Sequence, residues 1–217
     1  MVIKKSKSVR ELVYEELKKL IIEGEIQPEE RIVETEYAEK FQISRTPIRE
    51  ALRMLELEGF VESKSKGGVM VKSIKKSDID EIYRIRIALE GVILEEVINN
   101  AKKKDIRRLE RLMEDTEDLI DESGEDDEVF KLFSEFNDTL YNIASLSRVT
   151  EMITNINLYL RRFRRMAIES GDRKEVAFND HRAIVEAIKE KAAEKARGIN
   201  KIHLERSRDF IKASIQY

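Results

Sequence analysis

The chain has 217 residues, 41% of them apolar and 39% charged, with a formal net charge of −3 and no cysteine. That size suits two domains of roughly 70 and 140 residues, each large enough for a hydrophobic core. The missing cysteine excludes disulfides, thiolate metal sites and a cysteine nucleophile, and no run approaches the ~18 apolar residues of a membrane span, so a cytoplasmic protein with no membrane partner is expected.

The first predicted element is a helix opened by Ser8 with Glu11 three residues on, a capping box, and carried by Val9, Leu12, Val13, Leu17, Leu20 and Ile21 at helical spacing. Gly24 suits its left-handed stop. Arg31 to Val33 is a short β-like run, after which Thr35 is the expected cap of a brief helix ending near Phe41. Gln42 and Ile43 then lead tightly into a third helix, with Ser44 at its N-cap, Pro47 in its first turn and Gly59 at its end.

This third helix has two unlike faces. Ile48, Ala51, Leu52 and Leu55 fall on one side, while Arg45 and Arg49, four apart and so adjacent, fall on the other with Thr46 beside them and Arg53 a turn further. Two β-type runs follow, Phe60-Val61-Glu62 and Val69-Met70-Val71, joined by a basic glycine-containing tip that includes Lys66 and Gly67. Residues 1–72 carry as many acidic as basic side chains, so any affinity for nucleic acid rests on local clusters and not on bulk charge. Helix, short helix, tight turn, cationic helix and basic hairpin is the order of a winged helix-turn-helix, in which arginines read guanine edges and helix-terminal amides and hydroxyls hold phosphates.

Residues 73–77 are polar and read as a linker, and 78–217 read as helix throughout; no proline follows Pro47. Ser77 and Asp80 open a helix with Ile79, Ile82, Ile85, Leu89, Val92, Ile93 and Val97 inward. Further helices are predicted over 106–120, 129–144, 149–168, 176–189 and 192–215, with an acidic break at 121–128. The expected fold is therefore mainly α: a winged helix-turn-helix followed by an all-helical antiparallel bundle.

The run Ser44-Arg45-Thr46-Pro47-Ile48-Arg49-Glu50-Ala51-Leu52, with Arg31 to Glu34 before it and Leu55 to Val61 after it, closely resembles the DNA-binding module of the GntR family of transcriptional regulators. The remainder is similar, more loosely, to the all-helical effector domain (FCD-type) of that family's FadR-like branch, on Ile82 to Glu90, Asn179 to Ile188 and His203. The resemblance implies a homodimeric repressor of double-stranded operator DNA controlled by a small metabolite, expected to be anionic from the inward-facing Arg86, and no enzyme activity. It places Ser44, Arg45, Thr46, Arg49, Arg53, Lys66 and Gly67 at the DNA. Thr35 stands where some relatives carry a DNA-contacting arginine.

In the effector domain the resemblance implies a divalent metal held by an Asp and a His four apart on a middle helix, with two later histidines. Here Phe133 and Asn137 occupy the first two positions, leaving His181, His203 and at most the amide oxygen of Asn137 as ligands. The alternatives are that His181 and His203 donate hydrogen bonds to an organic effector, or that they are satisfied core residues. Arg86 falls on the inward side of its helix and needs an anion, either Glu90 four residues on or an effector carboxylate or phosphate. Among the arginines around Phe163, Arg165 and Arg161 are the candidates for the pocket; the expected effector contacts are thus Arg86, Asn137, Arg165, His181 and His203. An enzyme would need a complete metal shell or an activated nucleophile, and neither pattern is present. A protein-binding helical adaptor would differ in lacking salt-dependent affinity for duplex DNA.

Overall fold

The computed structural model describes residues 7–64, 68–169 and 172–215, apart from the side chains of Arg162 and Asp172. The chain divides into two compact units, Met1–Ile74 and Lys75–Tyr217.

In the first unit, α1 (Val9–Glu23) begins at Ser8, whose Oγ accepts from the Glu11 N–H while the Glu11 carboxylate accepts from the Ser8 N–H. It stops at Gly24, whose φ of 78° is the left-handed conformation that glycine adopts without strain. Val13, Leu17, Leu20 and Ile22 are buried, whereas Val9 and Leu12 face outward, so the packed face is turned from the one the spacing suggested. β1 (Arg31–Ile32) leads to α2 (Glu34–Lys40), which starts from Val33; Thr35 lies inside its first turn and does not cap it.

The third helix, α3 (Arg45–Leu57), buries Ile48, Ala51, Leu52 and Leu55 against α1, the four positions its periodicity selects. Each such aliphatic side chain contributes about 1.5–3 kcal/mol by leaving water. Beyond it β2 (Val61–Ser63) and β3 (Val69–Val71) pair antiparallel, and β1 joins the other edge of β3, giving the order β1-β3-β2. Arg31 lies opposite Met70, and Val61 opposite Val71. Ile32, Val61 and Val71 are buried, and β2 packs on α3, which holds the wing against that helix.

The second unit is a bundle of α4 (Lys76–Asn100), α5 (Lys103–Asp121), α6 (Asp126–Ala144), α7 (Ser147–Glu169), α8 (Asp172–Lys189) and α9 (Ala193–Ser214). α4 packs on α9 and α6, and α5 on α6 and α8. The start of α6 lies within the acidic stretch read as a break: Asp126, Asp127 and Glu128 occupy its first turn, where carboxylates oppose the positive end of the helix dipole. The inward stripe of α4 also differs from the expected one. Tyr83, Arg86, Glu90 and Leu94 are buried, while Ile85 and Val92 are 44% and 45% exposed.

Candidate functional site

Ser44, Arg45, Thr46, Arg49 and Arg53 all lie exposed on the side of α3 opposite its buried stripe. Ser44 occupies the N-cap position but its hydroxyl makes no capping bond, so both it and the first-turn amides are available to a phosphate oxygen. The two leading arginines converge on a residue the sequence reading did not single out, Glu34 at the start of α2. Arg49 donates from Nε and Nη2 to its two oxygens at 3.0 and 2.8 Å, and Arg45 donates from Nη2 at 3.1 Å.

The Arg49 guanidinium, joined by Arg45, holds the Glu34 carboxyl below its usual range, so it is an anion at neutral pH. Arg45 and Arg49 nevertheless keep 57% and 52% side-chain exposure. Their guanidiniums are held side by side with further N–H groups unspent. No sequence spacing announces the pairing of residues 34, 45 and 49, because it depends on how α2 crosses α3.

At the wing, Lys66 and Gly67 lie outside the described residues. Gly68, at φ 94°, closes the hairpin by accepting from the Lys64 N–H at 3.1 Å, and the Arg31 side chain rests against it. Arg31 therefore adds a cation at the base of the wing.

In the helical unit, His181 and His203 come together, with ring centroids 5.0 Å apart. His181 is 4% exposed, stacked on Phe136 at 4.4 Å and met edge-on by Phe133 at 4.7 Å. Burial, reinforced by His203 and Arg164, pushes its pKa well below 6.5, so the ring is neutral at pH 7. Its Nδ1 is buried and has no hydrogen-bond partner. His203 Nδ1 lies 3.3 Å from Asp180, which also receives Arg206. The two imidazoles, with Phe130, Phe133 and Ser207, line a cavity of about 40 Å³.

The arginines of this region sort differently from the expectation. Arg86 is fully inside, but it is bound to Glu90 through Nε at 3.1 Å and Nη2 at 2.7 Å, and Asn200 donates to the other Glu90 oxygen at 3.1 Å. Burial alone would raise the Glu90 carboxyl, yet Arg86 and Asn200 together hold it below its usual range, so the pair is ionised and closed. Arg86 is thus satisfied within the chain and does not line the cavity.

Arg165 is exposed and joins Asp127 and Glu169 at 2.9 and 3.2 Å. Its neighbour Arg164 lines the cavity instead, and Arg173, absent from the expected set, lines it from α8. Both had a legible signal. Arg164 is four after Leu160 and three before Ala167, within the buried stripe of α7; Arg173, Ala177 and His181 are successive i, i+4 neighbours on α8.

Asn137 also departs from the histidines. Its amide donates to the Phe133 carbonyl at 2.9 Å, and it lines a separate open groove of about 500 Å³ between α6 and α7, whose wall includes Arg161 and Arg164. Among the described residues no group of three His, Cys, Asp or Glu side chains is gathered that could hold a metal ion. The donor set implied by resemblance is therefore not assembled. Phe133 fills the carboxylate position with an aromatic ring against His181, and two imidazoles alone do not supply a three- or four-ligand shell.

A winged helix-turn-helix with a cationic recognition face, followed by a helical bundle, has the make-up of a DNA-binding regulator. Residues 9–71 match the family model "Bacterial regulatory proteins, gntR family", and residues 81–206 match that of the FCD domain. The chain belongs to the GntR family of transcriptional regulators and carries an FCD effector domain. It is 37% identical over 185 residues, 85% of this chain and 82% of the other, to the helix-turn-helix-type transcriptional regulator YdhC of Bacillus subtilis. It is 31% identical to the Uxu operon regulator of Haemophilus influenzae, over 79% of this chain and 70% of that one. The fold is shared with Escherichia coli McbR/YncC at a TM-score of 0.74 and 22% identity, covering 96% and 99% of the two chains. These relatives are regulators and not enzymes, and no helix among the described residues is long and apolar enough to cross a membrane.

Proposed function

We propose that this protein is a homodimeric repressor that reads an operator with α3 and is controlled by a small anionic effector bound in its helical unit. The observation that carries the reading is the division of α3 into a fully buried apolar stripe and an opposite face where Ser44, Arg45, Thr46, Arg49 and Arg53 are all exposed. In the major groove each arginine would offer two donors to one guanine, with Lys66 and Gly67 of the wing at the adjoining backbone. Homodimerisation is supported by the outer face of α4, where Ile85, Ala88 and Val92 leave an apolar strip exposed. A two-fold dimer would present two recognition helices to a palindromic site about one DNA turn apart.

An effector changes operator affinity only through its different affinity for the binding-competent and released arrangements. The cavity at His181 and His203 supports the ligand half of this reading, since it is lined by buried polar atoms without partners. The test is a gel shift on an operator selected from random duplexes. Replacing Arg45 or Arg49 by alanine is expected to weaken binding at least about ten-fold each, the worth of a guanine contact. Unchanged affinity in the Arg45→Ala/Arg49→Ala double variant would remove α3 from the interface.

A further inference from the structure

We propose that the cavity beside His181 takes a small organic acid directly by its carboxylate, on Arg164 and Arg173, with these two arginines standing where a metal ion would otherwise supply the positive charge. The inference rests on the regulator reading above and specifies how its effector is held.

Charge balance is the first ground. Among the described residues no carboxylate lines this cavity, yet two guanidiniums do, one from α7 and one from α8. Among the described residues neither forms an ion pair, and the Nε of Arg173 is buried without a hydrogen-bond partner. A few residues away the same bundle treats Arg86 oppositely, closing it on Glu90 and backing that carboxylate with Asn200. Even half-buried, a cation without a counter-ion is costly. Burial and the nearby Arg86 accordingly lower the pKa of Arg164. An anion at Arg164 and Arg173 relieves this cost, whereas a divalent cation would add to it.

The second ground is hydrogen-bonding capacity. His181 is locked between Phe133 and Phe136, and its buried Nδ1 is orphaned. Because burial keeps the ring neutral, it carries one donor and one acceptor nitrogen, and a carboxylate oxygen satisfies the donor. The hydroxyl of Ser207, held at 2.8 Å by the Tyr83 hydroxyl, stands at the same cavity.

Size and wall chemistry set the ligand class. A single ordered water needs roughly 10–15 Å³ of such space, so about 40 Å³ admits a head group of a few heavy atoms. Phe130, Phe133 and Ala167 supply apolar wall, which fits a short hydrocarbon stem and leaves the hydration of a phosphate poorly replaced.

The proposal is tested on the full-length protein by thermal unfolding in the presence of a chelator, with acetate, inorganic phosphate and chloride compared at equal ionic strength. Acetate is expected to raise the unfolding temperature more than phosphate or chloride. Arg164→Gln and Arg173→Gln are each expected to weaken that response at least about ten-fold, as loss of a charge-assisted hydrogen bond does. The same substitutions are expected to leave the ligand-free protein as stable or more stable, because each removes an uncompensated cation; a merely structural arginine would not behave so. An absent acetate response, or a larger response to phosphate, overturns the assignment. So does stoichiometric zinc uptake that raises the unfolding temperature. Gel shifts on the same preparations separate the two readings: intact operator binding with no acetate response defeats this inference alone, and lost operator binding by the unaltered protein defeats the regulator reading.

Discussion

In the N-terminal unit Arg45 and Arg49 stand on an open surface and share one carboxylate, Glu34, whereas in the helical unit Arg164 and Arg173 line a small cavity and have none. Water screens the first pair, so Glu34 need only orient them, and double-stranded DNA can replace or supplement it as counter-charge at little cost. Half-buried at the cavity, the second pair is screened less, so an anion has more to contribute there. Arg86 gives the reference point: it is more deeply buried than Arg164 and Arg173, and already neutralised by Glu90. Position in a helix stripe selects which arginines are inside. The presence or absence of a partner carboxylate then separates structural arginines from ligand-facing ones.

The sharpest break of this comparison is at Glu90. Glu90→Ala leaves the Arg86 guanidinium, 4% exposed, without its partner, and is expected to cost about 3–5 kcal/mol in urea unfolding. A cost below about 1 kcal/mol would mean that a buried arginine in this bundle tolerates isolation, and the contrast with Arg164 and Arg173 would lose its force.

His181 provides the next effect in size. Its pKa in the fold lies below the ordinary value of about 6.5, so as pH falls past that value the unfolded chain binds a proton that the folded chain resists. Stability contributed by the neutral ring is therefore full above about pH 6.5 and declines as pH falls toward the folded pKa, by at most about 1.4 kcal/mol per pH unit. Around the ring stand His203 and Arg164, with Asp180 beyond His203; the lowered pKa of Asp180 gives a separate loss at more acid pH. His181→Phe is expected to flatten the upper part of the profile of unfolding temperature against pH. An unchanged slope there would place the proton elsewhere.

Glu34→Gln tests the surface half of the comparison. Removing one negative charge between two exposed arginines is expected to steepen the dependence of log affinity on log salt by about 0.9, the increment of one phosphate contact. Discrimination between operator and random duplex should fall, since the guanidiniums lose the group that aligns them. Equal salt slopes in wild-type and variant titrations would show that Glu34 stays clear of bound DNA. The smallest effect is expected at Arg165, exposed and paired with Asp127 and Glu169. Arg165→Ala should change stability by less than about 1 kcal/mol and leave the acetate response intact, in contrast with Arg164→Gln one residue away.

Local chemistry in the sequence determined the start and stop of α1, at Ser8 and Gly24, the buried face of α3 and the family to which the chain belongs, because capping, periodicity and a contiguous motif are short-range properties. Tertiary structure alone decided that Glu34 meets Arg45 and Arg49, that Arg86 is closed by Glu90 and Asn200, and that Arg164 and Arg173 reach the cavity while Arg165 and Asn137 do not. Adjacent helical residues diverge by about 100°, so the rotational setting of α7 decides that Arg164 and not Arg165 faces the cavity, and that of α4 turned Ile85 and Val92 outward. That rotation is set by how the neighbouring helices interlock, a long-range outcome that no spacing within one helix encodes.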